Sequence, residues 1–555
     1  MISATYIFVK KVFFIIRSEG IELKKQNFIK GSIILMVSAA AAKVLGAVFK
    51  IPLTNMLGGV GMSYFSCAYS IFMPVYSLTV TGLSAAVARM TAQSAALGMY
   101  ENVRRIRRTA MLLFSAAGLV GSLLILLMAV PFSVYTVGNT DGAAAVAMIA
   151  PAVLFGCITA VERGHYEGMS NMYPTALSQL AEGAVKAGAG LMLCSYVTSH
   201  PRTVMGLFPF ITDIRGAAAA AGITGVTLST LGAAVFFAFL RLFDRAPKGG
   251  ERCVQSRREI AKRLLSTALP VGAGAVVTNL TALIDMWTVI GCIAVFGYVG
   301  KAPAGVSASE LPGFIYGSFA GIALTVFNLV PSVTNMLGKG ALTCITSACE
   351  SGDRAAMERG TMQALLTSAA ISVPSAVGLG VMAPEVLGVL YPAQSDEVTV
   401  CIAPLRWLMA GMVCLCVSYP LFSMLQAVGK PSAPLKIMLL GTAVKLLGNL
   451  LLIPFMGVSG AAVSTSLCYA LILLFAVRTY LKVTGLRLQL APFCKILYSG
   501  AMCGGAAYLV GAAADRGGAS PAAALSASVI SGGAVYVFFI RGLLLRLRRR
   551  YTVSA

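Results

Sequence analysis

Several ionisable side chains lie inside long apolar stretches of this sequence, where charges are uncommon. Lys43 and Lys50 are seven residues apart, a spacing that places both on one face of a helix. A charge in such surroundings is costly and is therefore a functional candidate. Two ammonium groups on one face suit the binding of an anionic group. Arg89, at the end of the next apolar stretch, is either a third cation of this set or a surface anchor. Lys50 alternatively extends towards a membrane surface.

A second pair of charges lies four residues apart, within a stretch rich in small residues. Glu182 and Lys186 occupy positions i and i+4, so they can pair along one helix face. Such a pair neutralises itself, and it is then only structural. The alternative is a relay that passes a proton or the substrate.

A third set of polar residues is spread over two distant stretches. Asp285 is the only acid in its apolar stretch, and it is expected either to pair with Lys50 or to bind a coupling cation. Lys445 has no acid four residues before or after it, and its i+4 neighbour is Asn449. Lys445 either pairs with an acid from another helix or takes part with Asn449 in a relay or coupling step.

The composition indicates what kind of protein must position these residues. Of the 555 residues 58% are hydrophobic and 11% are charged, whereas soluble domains have about 25% charged residues. This predicts an all-α polytopic membrane protein. The alternating ten-residue pattern of a membrane β-barrel is absent from the sequence.

The net charge of +23 does not indicate a nucleic-acid partner, because the charges lie in short loops between apolar stretches. The thirteen Cys and two His show no disulfide framework, no metal-binding spacing and no catalytic triad. We therefore predict no catalytic residue, no metal and no cofactor, and hence no enzyme.

We predict about fourteen transmembrane helices from the apolar stretches. They fall near residues 31–53, 62–88, 109–131, 142–161, 174–196, 217–240, 264–290, 312–336, 361–390, 399–428, 432–455, 458–480, 491–513 and 521–543. Basic residues concentrate in alternate loops, which places both termini in the cytoplasm of a multi-pass cytoplasmic membrane protein. The predicted outer loops carry only Arg202, Arg215, Lys301 and Arg516.

An internal repeat divides the chain. The sixth and twelfth stretches share a pattern in which Gly222, Gly225, Ser229 and Thr230 match Gly457, Gly460, Ser464 and Thr465, and Lys186 matches Lys445. An even number of spans per repeat makes the two repeats parallel. We predict two parallel six-helix repeats plus two C-terminal helices. The predicted parts are an N-terminal extension (1–23), an N-lobe (24–240), a basic cytoplasmic linker (241–263), a C-lobe (264–482), and two extra helices with a basic tail (483–555).

The stretch ERGHYEGMSNMYPTALSQLAEGAVK resembles a signature of the stage V sporulation protein B-like polysaccharide exporters. The matching residues are Arg163, Gly164, Gly168, Met172, Pro174, Thr175, Ala176, Ser178, Gln179, Glu182 and Lys186. The stretches KGSIILMVSAAAAKVLGAVFKIPLTNMLG and YGSFAGIALTVFNLVPSVTNML also resemble that family. The resemblance covers residues 24 to about 545.

The resemblance implies the multidrug/oligosaccharidyl-lipid/polysaccharide exporter superfamily, which includes lipid II flippases. It implies alternating-access transport of an undecaprenyl-pyrophosphate-linked saccharide, with Lys43 and Lys50 as cavity cations. Membrane lipids and the cell-wall synthesis machinery are the further partners to expect. Two alternatives stay open: a cation-coupled multidrug exporter of the same superfamily, and a cell-wall or spore assembly factor without transport activity.

Two positions depart from the family pattern. Where relatives usually carry an acid after the first span, this chain has Gly59 and Val60, so a gating role of that acid is lost. Where relatives often carry Arg, this chain has Lys50, which keeps the charge and loses the bidentate fork. Some relatives are expected to hold sodium on the helix pair of Lys445, where an ammonium would take the place of the ion.

Overall fold

The fold is described here from a computed structural model. The structure describes residues 28–207, 213–243, 255–300, 303, 306–430, 432–486 and 488–551. The predicted N-terminal extension (1–23) and much of the predicted linker (244–254) lie outside the described residues. Every regular element of the described part is helical.

Eight helices form the first half of the molecule, residues 28–243. They are α1 (Phe28–Tyr76), α2 (Gly82–Ala96), α3 (Tyr100–Val137), α4 (Ala143–Ile149), α5 (Pro151–Gly168), α6 (Tyr173–Ser199), α7 (Pro201–Leu207) and α8 (Ile214–Phe243). A short π-helix, Ser77–Thr81, joins α1 to α2. The backbone of α1 is not helical at Gly58, where φ is 63° and ψ is −174°.

Nine helices form the second half, residues 257–484, and two more follow it. The nine are α9 (Arg257–Phe296), α10 (Leu311–Ser318), α11 (Leu324–Phe327), α12 (Leu329–Glu350), α13 (Arg354–Val381), α14 (Ala383–Leu390), α15 (Ser395–Ala427), α16 (Ala433–Met456) and α17 (Val458–Thr484). A π-helix, Phe319–Ala323, joins α10 to α11. The last two helices are α18 (Ala491–Arg516) and α19 (Pro521–Tyr551).

Local sequence explains where several helices begin. At α9, the Ser256 hydroxyl accepts a hydrogen bond from the Glu259 amide, and the Glu259 carboxylate accepts one from the Ser256 amide. This capping box satisfies amides that have no partner inside the helix. The Asp353 carboxylate caps α13 in the same way by accepting from the Ala356 amide.

The described residues contain eleven helical stretches that are long and apolar enough to cross a membrane. The number is twelve if the bent pair Leu311–Phe327 and Leu329–Asn335 is one span. One of the eleven, Val37–Ala96, has 60 residues, whereas about 20 suffice for one crossing. The rings of Phe49 and Phe65, on either side of Gly58 in the sequence, lie 6.1 Å apart, which shows that this stretch turns back at Gly58. The predicted all-α polytopic fold is confirmed, and the count of fourteen spans stays a prediction.

Packing within each half follows the repeat. In the first half α6 packs on α8, and in the second half α16 and α15 both pack on α17. The closing pair α18 and α19 pack on each other, and α18 also packs on α13. The largest cluster of buried apolar side chains includes residues of both halves, for example Leu53 and Phe319. The predicted lobe boundaries stay a prediction.

The two halves touch at more than one place. At the end where α1 turns, which we call the Gly58 end, the second half approaches so closely that a Cβ on Gly317 would lie 1.8 Å from the Gly59 carbonyl oxygen. Arg215, at the start of α8, forms an ion pair with Glu310, which precedes α10. Away from that end, Nδ2 of Asn279 on α9 donates to the Ser77 hydroxyl at 2.6 Å. The two halves are therefore in direct contact along the first helix and the helices it meets.

Candidate functional site

The two cations predicted on the first span both reach across to the second half. Nζ of Lys43 donates to the Ser332 carbonyl oxygen at 3.4 Å, and the Lys43 residue is exposed. Nζ of Lys50 donates to the Ala320 carbonyl oxygen at 3.0 Å. Ala320 lies in the π-helix that interrupts this span, and Ser332 lies in the first turn of α12, directly after the bend. The two cations lie on one face, as their spacing predicts, and that face meets the second half.

Lys50 does not extend along its helix towards a membrane surface, since its ammonium is bound to a carbonyl of the other half. Arg89 lies on α2 with an exposed side chain. Among the described residues no hydrogen bond joins Arg89 to the acceptors of Lys43 and Lys50, so its place in the cationic set stays a prediction.

The predicted pair of Glu182 and Lys186 is wrong. The Glu182 carboxylate instead forms an ion pair with Arg163 on α5, with NH2 of the guanidinium 2.7 Å from Oε2. The same guanidinium donates through Nε to the Ser178 hydroxyl at 3.0 Å. A spacing of four residues permits an intrahelical pair, but a guanidinium that donates to two neighbouring acceptors is the stronger partner.

The signature stretch ERGH thus ties three helices together. Glu162 forms an ion pair with Arg107 on α3, and its neighbour Arg163 forms the ion pair with Glu182 on α6. Arg163 and Glu182 both belong to the family signature quoted above. The opposite charge of Arg163 within that signature is the signal that could have identified it as the partner of Glu182. In this structure these four charged residues connect helices of the first half.

Lys186 has an aromatic environment in place of an acid. Its Nζ donates to the Tyr69 hydroxyl at 2.8 Å. The ammonium also lies 5.1 Å from the centre of the Phe49 ring and 5.3 Å from that of Tyr69. Cation–π contacts of this kind stabilise an ammonium without neutralising it. Tyr69 was not predicted, because 117 residues separate it from Lys186 in the sequence.

The third set forms a compact buried cluster. Nζ of Lys445 on α16 lies 2.6 Å from Oδ2 of Asp285 on α9, and both side chains are at most 4% exposed. Nδ2 of Asn449 donates to Oδ1 of Asp285 at 3.0 Å and to the Thr288 hydroxyl at 2.8 Å. Lys445 therefore pairs with an acid of another helix, which was one of the two predicted possibilities. The alternative that Asp285 pairs with Lys50 is wrong.

Two features of this cluster bear on chemistry. Oδ1 of Asn449 is fully buried and has no hydrogen-bond partner among the described residues, so the cluster has an acceptor to spare. The hydroxyl of Ser464, from the repeated Ser-Thr pattern, donates to the Lys445 backbone carbonyl at 2.9 Å and ties α17 to this helix. Among the described residues no group of His, Cys, Asp and Glu is arranged to hold a metal ion.

The electrostatics of the site follow from these pairings. Glu182 and Asp285, the acids of the predicted fifth and seventh spans, are each bound to a cation, Arg163 and Lys445 respectively. Lys50 and Lys186, by contrast, each donate to a neutral oxygen. Lys43 and Lys50 therefore bring two ammonium groups to the second half, and ammonium groups favour an anionic ligand over a cationic one.

Comparison with known proteins agrees with this architecture. The family model described as polysaccharide biosynthesis protein matches residues 28–324, and that described as lipid II flippase MurJ matches residues 323–516. Stage V sporulation protein B of Bacillus subtilis (strain 168) is 24% identical over 530 residues, which cover 93% of this chain and 96% of that protein.

Solved structures share the fold. A structure titled lipid II flippase MurJ, inward closed conformation, superimposes with a TM-score of 0.65 and 15% identity, covering 93% of this chain and 100% of that chain. An inward-facing multidrug resistance MATE family transporter of the MOP superfamily gives a TM-score of 0.61 with 14% identity, covering 81% and 97%. The predicted resemblance to stage V sporulation protein B-like exporters is confirmed.

Proposed function

Because the chain belongs to the polysaccharide biosynthesis protein family, we propose that it moves an undecaprenyl-pyrophosphate-linked saccharide across the cytoplasmic membrane. The saccharide is lipid II or another cell-envelope glycan precursor. The descriptions of the two matching family models, polysaccharide biosynthesis protein and lipid II flippase MurJ, support this class of substrate. The protein then acts as a flippase, not as an enzyme.

The observation that carries the proposal is the position of the cations. Lys43 and Lys50 project from the first half onto the interrupted span of the second half. A pyrophosphate carries negative charge that must leave water on its way across the membrane, and fixed ammonium groups lower the cost of this step most where water is scarce. We include Arg89, which is exposed on α2, as a third cation of this set.

The neutralised acids support the same substrate. Because Glu182 and Asp285 are already paired, the ammonium of Lys186 and that of Lys50 keep their charge for an anionic ligand. A head group that displaces the Ala320 carbonyl from Lys50 replaces a neutral acceptor by a charged one, and a hydrogen bond between two opposite charges is the stronger of the two.

We propose alternating access as the mechanism. The two six-helix lobes rock against each other, with both termini in the cytoplasm, so that the head group enters from the inner leaflet and leaves to the outer one. The polyprenyl tail remains in the lipid throughout. The contacts that now join the two halves, at Gly317 with Gly59 and at Asn279 with Ser77, must then open in turn.

The buried cluster is our candidate for energy coupling. Asp285, Lys445 and Asn449 join α9 to α16, so a change in the protonation of the Asp285–Lys445 pair would loosen that contact. Glu182 and Lys186 are the corresponding candidates in the first half. Charged groups at this depth are characteristic of proton relays in transporters.

The alternative is a cation-coupled multidrug exporter, which the fold likeness to a MATE family transporter supports. An exporter of organic cations needs acids that are free to face the drug, and the acids of these spans are occupied. A third possibility, an assembly factor without transport, does not account for the cations between the halves.

Complementation tests the proposal. The native lipid II flippase of a test bacterium is depleted, this chain is expressed, and growth is scored together with lipid II accessibility at the outer leaflet. Lys50→Gln and Lys43→Ala are run beside Lys436→Gln, which removes an exposed lysine at the start of α16.

We expect rescue by the parent chain and by Lys436→Gln, and loss of rescue in the two cavity variants at equal expression. Rescue by all variants alike would leave the flippase and overturn the cationic site. Absence of rescue by a well-inserted parent chain would exclude lipid II and direct the test to other lipid-linked glycans. Export of an organic cation instead would favour the multidrug alternative.

A further inference from the structure

The corner of α1 at Gly58 leaves two backbone groups that need new partners. In an uninterrupted helix the amide of Gly59 would donate to the carbonyl of Asn55, four residues earlier. Gly58 instead adopts a positive φ of 63°, which a residue with a Cβ rarely tolerates, and the chain turns back. Helix ends of this kind require capping groups.

Both groups find their partners in the other half of the molecule. The Gly59 amide donates to Oε1 of Glu397 at 3.0 Å, and Nε2 of Gln394 donates to the Asn55 carbonyl oxygen at 2.9 Å. The Asn55 side-chain amide in turn donates to the Leu390 carbonyl oxygen at 2.9 Å. The Gly59 amide, a donor, thus receives an acceptor, and the Asn55 carbonyl, an acceptor, receives a donor.

Charge reinforces the match. Glu397 is 8% exposed, and its carboxylate lies at the beginning of the helix that restarts at Gly59, where the helix dipole favours a negative charge. The space is also filled, since a Cβ on Gly58 would lie 3.3 Å from Oε1 of Glu397. Residues 390–397 therefore fit this corner in both shape and polarity.

We propose that residues 390–397 form a detachable cap on the α1 corner, which holds the two halves together at the Gly58 end and positions Lys50. Lys50 lies on the same arm of α1, five residues before Asn55, and its contact with Ala320 belongs to the same closed interface. Each contact is a hydrogen bond that water can replace when the halves part, so the cap closes the corner and still releases it. Glu397 and Gln394 are positioning residues in this scheme.

Hydrogen exchange of the purified full-length chain tests the cap without any transport assay. Exchange is followed by mass spectrometry in a peptide that contains Gly59 and begins several residues before it, so that the Gly59 amide is retained. The variants are Glu397→Ala, Glu397→Gln and Gln394→Ala, and the control is Asp396→Ala, which removes the exposed acid beside Glu397.

We expect Glu397→Ala to speed exchange in this peptide about tenfold, as the loss of a hydrogen bond to a charged acceptor should. Glu397→Gln keeps an acceptor oxygen and should lie between Glu397→Ala and the parent. The decisive variant is Gln394→Ala, because the Gln394 side chain bonds to the Asn55 carbonyl and not to the Gly59 amide. It should nevertheless speed exchange there, because both caps hold the same closure.

Faster exchange in Glu397→Ala alone, with Gln394→Ala equal to the parent, would reduce the contact to a local hydrogen bond and overturn the cap. Equal exchange in all variants would overturn it as well. If Glu397→Ala does not fold, the comparison of Glu397→Gln and Gln394→Ala with Asp396→Ala decides the question. Because no substrate is present, failure here is distinguishable from failure of the proposed transport activity.

Discussion

The ammonium of Lys445 lies 2.6 Å from the carboxylate of Asp285, and the two side chains are among the most deeply buried charges of the described residues. The pair joins α16 to α9 across 160 residues of sequence. Asn449 holds the second carboxylate oxygen, so both oxygens of Asp285 are satisfied by one helix face. The internal repeat places Lys186 at the matching position, yet Lys186 binds a phenol. The two halves have thus taken different chemistry at equivalent sites.

Removing one member of the buried pair should destabilise the protein strongly. Lys445→Met leaves an unpaired carboxylate away from water, and we expect a loss of about 3–5 kcal/mol. Asp285→Leu combined with Lys445→Met should recover most of that loss, since neither charge remains. Thermal unfolding of the purified variants in detergent measures both. Lys436→Met, at an exposed position, is the matched control. A double variant no better than Lys445→Met would contradict the pairing.

Sodium should not stabilise this protein. The Lys445 ammonium already supplies the positive charge between Asp285 and Asn449, so a second cation would be repelled there. A ligand that binds the folded state raises its stability in proportion to the logarithm of its concentration. We therefore expect equal unfolding temperatures in sodium, potassium and choline chlorides at one ionic strength. A rise confined to sodium would place an ion where we place the ammonium.

Much of the fold is predictable from the sequence, because hydropathy and the repeat are local properties. The apolar stretches mark the helices, and the paired Gly and Ser-Thr patterns identify α8 and α17 as equivalent elements. The glycines of LGGVGM also indicate a turn near Gly58. What hydropathy does not provide is the breaks within spans, such as the π-helix at Phe319–Ala323, which depend on packing.

The site was harder to predict, since its partners are distant in the chain. The spacing of Glu182 and Lys186 suggested a pair, but the Glu182 carboxylate pairs with Arg163 of another helix instead. The sequence shows no acid at Gly59 or Val60, and it does not reveal that Glu397 of the other half places a carboxylate at this corner. Spacing identifies the candidates within one helix, and only the tertiary fold decides which of them meet.

The ion pair of Glu182 with Arg163 can be separated from its neighbour Lys186 by double-mutant cycles. Glu182→Gln and Arg163→Gln should be coupled by about 0.5–3 kcal/mol, because each removes the same ion pair. Glu182→Gln and Lys186→Gln should be nearly additive, since these side chains have different partners. Unfolding free energies of the singles and doubles give both values. Strong coupling of Glu182 with Lys186 would restore the intrahelical pair.

The close contact of the halves at the Gly58 end predicts the effect of a single methyl group. Gly317→Ala would place a Cβ 1.8 Å from the Gly59 carbonyl oxygen, and backbone cannot yield as a side chain can. We expect a loss of about 1–3 kcal/mol, as for other overpacked interiors, with faster exchange on both sides of the contact. Gly388→Ala is the control, since no heavy atom lies within 4 Å of its added Cβ. Equal stability of the two variants would show that the halves do not meet here.

Lys50 should bind the anionic head group through its charge more than through its hydrogen bond. Lys50→Gln keeps a donor for the Ala320 carbonyl and removes the charge, whereas Lys50→Arg keeps the charge. Binding of a short-chain polyprenyl pyrophosphate sugar to the purified protein measures the difference. We expect about tenfold weaker binding for Lys50→Gln, as for the loss of a charge-assisted hydrogen bond, and near-parent binding for Lys50→Arg.

Lys186→Gln should weaken binding similarly, because the Lys186 ammonium contacts the Tyr69 hydroxyl and the rings of Tyr69 and Phe49, which leave its charge available. Lys436→Gln should not weaken it. If Lys50→Gln and Lys436→Gln bound equally well, the head group would have to lie elsewhere, and the interrupted span that Lys50 now contacts would serve only to close the two halves.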